Sequence, residues 1–99
     1  MDDRKGQDGD LDLGALADRL HDHLRATAER PVERSASRWL GEVEAVAGDA
    51  AGAGDRAVIC KRARQVEDLL ANVEETGDPA ADERVAEARA VVGRIVARC

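Results

Sequence analysis

The stretch 55-DRAVICKRARQVEDLLANVEETG-77 decides the fold. Ile59, Ala63, Val66, Leu69, Leu70 and Val73 recur at steps of three and four, which gathers them on one face of a helix. Asp55 stands where an N-cap is needed, and Gly77 where a left-handed residue ends a helix. The spacing predicts a helix over 55–76. A helix that is apolar on one face must be covered by others, so a helical bundle is expected. Its charges oppose its dipole: Arg56, Lys61, Arg62 and Arg64 lie in the first half, and Glu67, Asp68, Glu74 and Glu75 in the second. Each exposed charge so placed costs up to about 1 kcal/mol, which packing must offset.

Downstream, Gly77 is the stop, Asp78 the cap and Pro79 the first residue of a fourth helix, predicted over 79–97. Its inner face is Ala81, Val85, Ala88, Val92, Ile95 and Val96, with Cys99 extending it. Val91 to Val96 is β-branched enough for a strand, but the period is three and four rather than two. Upstream, residues 48–54 are Gly, Asp and Ala only and read as a flexible connection. A second helix is predicted over 31–47. Pro31 opens it, Gly48 ends it, and Val32, Ala36, Trp39, Leu40, Val43, Val46 and Ala47 form its inner face. Gly41 falls on the outer side and costs about 1 kcal/mol of helix propensity against Ala. A first helix is predicted over 12–29, capped by Asp10 or Asp12 and carrying Leu13, Leu16, Leu20, Leu24 and Thr27. Pro31 disfavours helical geometry at Arg30. Residues 1–10 are charged, hold two glycines and no apolar residue after Met1, and read as a disordered tail before a single domain over 11–99.

The expected fold is therefore all-α: a four-helix antiparallel bundle with a disordered N-terminal tail. Up-and-down order is the first expectation, and two helical hairpins packed crosswise are the alternative.

The chain has 99 residues, and Trp39 is its sole aromatic residue. Burial must come from Ala, Val, Leu and Ile, at roughly 1.5–3 kcal/mol for a fully buried Val or Leu. So thin a core predicts marginal stability or a dimer that shares the burden. The net charge of −6 and pI near 4.9 argue against a dedicated nucleic-acid binder. Asp outnumbers Glu, and Lys5 and Lys61 are the only lysines among fifteen basic residues. An acidic, Lys-poor, Ala-rich composition suits a protein kept soluble in high salt; GC-rich coding gives a similar bias. Cys60 and Cys99 form no CxxC and no metal-ligand spacing. Met1 is followed by Asp2, Asp3, Arg4 and Lys5, with no apolar run that would read as a secretory leader, and no stretch is long and apolar enough to span a membrane. These features predict a cytoplasmic protein with both thiols reduced, Cys99 on the core face and Cys60 at a helix flank.

No residue pattern marks a catalytic site, a cofactor or a metal centre. His21 and His23 point about 200° apart on a helix and cannot chelate together. Asp18, His21 and Asp22 share a face, which is the pattern of a solvated, mutually paired surface as much as of a weak metal site. Ser35 and Ser37 lack a nucleophile context. Arg62 falls between Ile59 and Val66 on the inner face. Its stem is expected on the core edge, with its head on a carboxylate; the alternative is an anion-binding groove. Arg56, Lys61, Arg62 and Arg64 form a run without an intervening acid, which could touch phosphate. An acidic first turn in the following helix, at Asp82 and Glu83, speaks against a DNA-reading pair of helices. Trp39 is either a core anchor or an exposed hot spot.

The segment 30-RPVERSASRWLGE-42, together with 76-TGDPAAD-82, resembles small acidic helical proteins of halophilic archaea. Those belong to an uncharacterised family, a domain of unknown function. The resemblance implies a helical fold and a high-salt setting over most of residues 11–96, and it implies no catalytic or binding residue. The expected function is a non-enzymatic interaction module with no cofactor. It would dock a protein partner or a second copy of itself through Trp39 or the third helix. The alternatives are a nucleic-acid-associated regulator using the basic start of the third helix, and a weak metal-binding protein.

Overall fold

Four helices account for the secondary structure of a computed structural model, which describes the backbone of residues 4–99 and the side chains of residues 13–99. They are α1 (Arg4–Thr27), α2 (Arg34–Ala51), α3 (Arg56–Leu70) and α4 (Pro79–Ala97), and there is no strand among the described residues. α1 is helical from Arg4, so the expected start at 12 is corrected and the expected caps at Asp10 and Asp12 fall inside the helix; the side chains of the expected tail over 1–10 lie outside the described ones. Each of α1 and α3 packs against both α2 and α4. Arg84 near the start of α4 meets His23 near the end of α1. Cys60 near the start of α3 meets Cys99 just past the end of α4. Neighbours therefore run antiparallel, in up-and-down order.

The core is aliphatic, as the composition requires. Leu13, Leu20 and Leu24 of α1 meet Leu40 and Val43 of α2, Ile59, Val66 and Leu70 of α3, and Val85, Val92 and Ile95 of α4. Ala17, Ala47, Ala63 and Ala88 are fully buried at the helix contacts, which lets the axes approach closely. Trp39 packs only at the margin of this core.

The helix boundaries differ from the expected ones for physical reasons. α4 starts at Pro79 as predicted, and its β-branched end remains helical through Ala97. α2, however, begins three residues after Pro31. The Glu33 N–H donates to the Thr76 carbonyl at 2.7 Å, which holds Glu33 extended as the N-cap. Pro31 thus lies before the helix rather than at its first position. At its other end α2 continues past Gly48 to Ala51, because one more turn buries Ala50. Gly48 is needed for contact instead of termination. A Cβ there would lie 3.1 Å from His21 Nε2, so the glycine admits the imidazole of α1 against α2.

α3 ends at Leu70 rather than at Thr76. The amides of Asn72 and Val73 tighten onto the carbonyls of Leu69 and Leu70. Asn72 Nδ2 donates to the Asp68 carbonyl at 3.3 Å. Arg89, reaching across from α4, donates to the carbonyls of Leu70 and Val73. Val73 is still buried, but from the loop, which is why its spacing reads as helical. Glu74 and Glu75 consequently leave the helix, and their conflict with its dipole disappears. Arg56 is relieved differently: its guanidinium donates to the Arg98 carbonyl at the C-terminal end of the antiparallel α4, where positive charge is favourable.

Candidate functional site

The loop after α3 is fixed by a knot of polar groups, and this knot positions the site. Thr76 is fully buried. Its N–H donates to Asp82 Oδ1 at 2.8 Å, and its hydroxyl lies 2.7 Å from the same oxygen. Asp78 caps α4 by accepting from the Ala81 N–H at 2.9 Å. Its carboxylate also takes both arms of Arg30, at 2.9 and 3.2 Å. The hydrogen bond from Arg30 and that from the Ala81 amide hold the Asp78 carboxyl below the usual Asp range, against the opposing effect of burial. Arg30 is raised in turn by the same hydrogen bond and charge. Gly77, between these residues, has φ +84°, and Glu33 folds over it.

This frame sets the first turn of α2 beside the α3–α4 loop, with a groove of about 420 Å³ between them. Trp39, half-buried, lines it, with Ala36 and Val73 at its base and Glu33, Glu74 and Glu75 at its rim. All three glutamates are exposed, and among the described residues none of their carboxylates makes an ion pair or hydrogen bond. Trp39 is thus both a core-margin residue and a groove residue.

The basic run at the start of α3 is not assembled into a single patch. Arg56 is engaged with Arg98. Arg62 donates to Gln65 Oε1 at 2.9 Å instead of to a carboxylate, and its buried Nε has no partner. The expected carboxylate partner of Arg62 is therefore corrected. Lys61 and Arg64 are exposed. Val58 is the one large apolar side chain exposed among the described residues.

The expectation of two reduced thiols is overturned. Cys60 and Cys99 form a disulfide, with their Cα atoms 5.9 Å apart. Cys60 is the buried partner and Cys99 the exposed one, the reverse of the expected placement. The antiparallel ends of α3 and α4 bring the two together, and thirty-nine positions of sequence conceal this.

His21 lies 3.8 Å from Glu44. His23 Nδ1 faces an Arg84 N–H at 3.1 Å, and its Nε2 lies 3.3 Å from Glu87. An arginine can only donate, so His23 Nδ1 accepts, and the ring is fixed with its proton toward Glu87. Asp18 and Asp22 take no part in either contact. Among the described residues no group of three or more His, Cys, Asp or Glu side chains is placed to hold a metal ion. No helix among them is long and apolar enough to cross a membrane.

The geometry defines an up-and-down four-helix protein with one aromatic groove at the end carrying the α3–α4 loop. Residues 16–99 match a family model described as a domain of unknown function, DUF8152, and the chain belongs to that family. No curated protein and no solved structure matches it.

Proposed function

We propose that this chain is a non-enzymatic interaction module that docks a partner protein at the Trp39 groove. The observation that supports the reading is Trp39 itself. The only aromatic side chain of the protein is left half-exposed in a groove, while the core is filled by aliphatic residues. Tryptophan is enriched among residues that dominate binding energy, where truncation costs about 2 kcal/mol or more. The test is crosslinking of wild-type and Trp39→Ala protein in cell extract, with helix content followed by circular dichroism. The variant is expected to stay helical and to lose the wild type's crosslinked partner. Identical crosslinks from both proteins would sink the reading.

A second copy of the chain is the other occupant consistent with a thin core. Light scattering at low and at molar salt separates the two: a monomer at both leaves an external partner, and a dimer points to self-association. The acidic surface is proposed to suit a high-salt setting, and folding that strengthens with salt would support it. Cytoplasmic residence is part of the proposal. It requires that the Cys60–Cys99 bond be opened in that compartment or be resistant to its reductants.

A further inference from the structure

We infer that the Trp39 groove recognises a basic segment of the partner, seating one Arg or Lys side chain between the indole and the carboxylates of Glu33, Glu74 and Glu75. The inference rests on the docking reading above and adds the chemistry of the occupant. Three carboxylates rim one groove, and no cation of the described chain reaches any of them. The nearby basic group of the loop knot, Arg30, is committed to Asp78. An apolar partner would strip water from these carboxylates and give nothing back, and an acidic partner or a nucleic-acid backbone would be repelled. A guanidinium or ammonium satisfies the carboxylates and is attracted to an aromatic face. Its aliphatic stem has an apolar base to lie on, formed by Ala36 and Val73. The rim is also held in place: Glu33 is the N-cap residue of α2, anchored to the Thr76 carbonyl, and Glu74 and Glu75 directly precede the buried Thr76.

The protein supplies its own probe, because Trp39 is the sole tryptophan and there is no tyrosine. A capped peptide of alternating Arg and Gly is titrated while Trp39 emission is recorded, at low and at high salt. The same peptide with Glu in place of Arg is the control. The Arg peptide is expected to shift the emission saturably and the Glu peptide to leave it unchanged. The affinity should fall as salt rises. The triple variant Glu33→Gln, Glu74→Gln, Glu75→Gln preserves shape and is expected to weaken binding about tenfold, as the loss of three exposed charge contacts would. A saturable response to neither peptide, an equal response to both, or an unchanged affinity in a folded triple variant would overturn the inference. If the Arg peptide fails while Trp39→Ala still abolishes the crosslinked partner, only the chemistry assigned here is wrong. If both fail, the docking reading falls with it.

Discussion

At the residue scale, Asp78 and Gly77 hold the groove end of the molecule in shape. Asp78 accepts from Arg30 and from the Ala81 amide, and its carboxyl is lowered from its ordinary value. A lowered carboxyl stabilises the fold above the unfolded-chain value of about 3.9, and the contribution is lost as pH falls through the lower folded-state value. Wild-type stability is therefore expected to fall as pH drops below about 4, and Asp78→Asn should fall less steeply there while being less stable at neutral pH. Urea midpoints measured from neutral to acid pH check this. Gly77 sits at φ +84°, and a Cβ there would come 2.8 Å from Glu33 Cγ. Gly77→Ala should cost about 1–2 kcal/mol from the left-handed backbone alone. The Glu33 contact adds to it, so a companion Glu33→Ala change should recover only part of the loss in thermal melts. Asp78 as a cap and a left-handed glycine at 77 were legible from Gly77, Asp78 and Pro79, although α3 ends at Leu70 and not at that glycine. The Arg30–Asp78 pair was not, because forty-eight positions separate its members and only the folded loop joins them.

At the element scale, the instructive case is the end of α3. Periodicity carried the helix to residue 76 because Val73 is buried at helical spacing, yet the helix stops at Leu70. What stops it is a tertiary donor: Arg89 satisfies carbonyls that another turn of helix would have used. Sequence periodicity reports burial, and a loop residue can be buried in phase with the helix before it. The same limitation shifted α2, whose start is set by a hydrogen bond from Glu33 to the distant Thr76. Arg89→Met keeps the stem and removes the donor. It should destabilise by about 1–3 kcal/mol, since the carbonyl of buried Val73 loses its charged donor while that of Leu70 keeps the Val73 N–H. Amide hydrogen exchange at residues 71–73 should quicken more than at the centre of α3. Gly41 gives a contrary expectation. Nothing lies within 4 Å of a Cβ built there. Gly41→Ala should therefore stabilise the protein by about 1 kcal/mol, read from the urea midpoint.

At the scale of the whole molecule, the all-α class follows from patterning, whereas patterning leaves helix order between up-and-down and crosswise hairpins, and the packing of α1 and α3 against both α2 and α4 decides it. Aliphatic stripes, two prolines and a scatter of glycines suffice to specify four helices. The groove was legible only in part. Trp39 stood out by being alone, but the carboxylates beside it belong to two segments of the chain, and no local pattern joins Glu33 to Glu74 and Glu75. The disulfide was unreadable for the same reason. It closes a loop with a sequence separation of 39, and loop entropy of that length corresponds to about 4 kcal/mol of stability. Reduction, or the pair Cys60→Ser and Cys99→Ser, should lower the unfolding free energy by up to about that amount. Oxidised and reduced protein should then show separate urea midpoints.

That bond also changes what a break in the chain means. With residues 60 and 99 joined, most of α3, the loop after it and all of α4 form a covalent ring. A protease that cuts between Leu70 and Pro79 opens the ring without dividing the molecule. The severed α4 stays tethered to α3 through sulfur, and the two sides of the Trp39 groove remain parts of one particle until a reductant arrives. Between residues 60 and 99, chain integrity is thus a matter of two chemistries, hydrolysis and reduction, and either alone leaves the molecule in one piece.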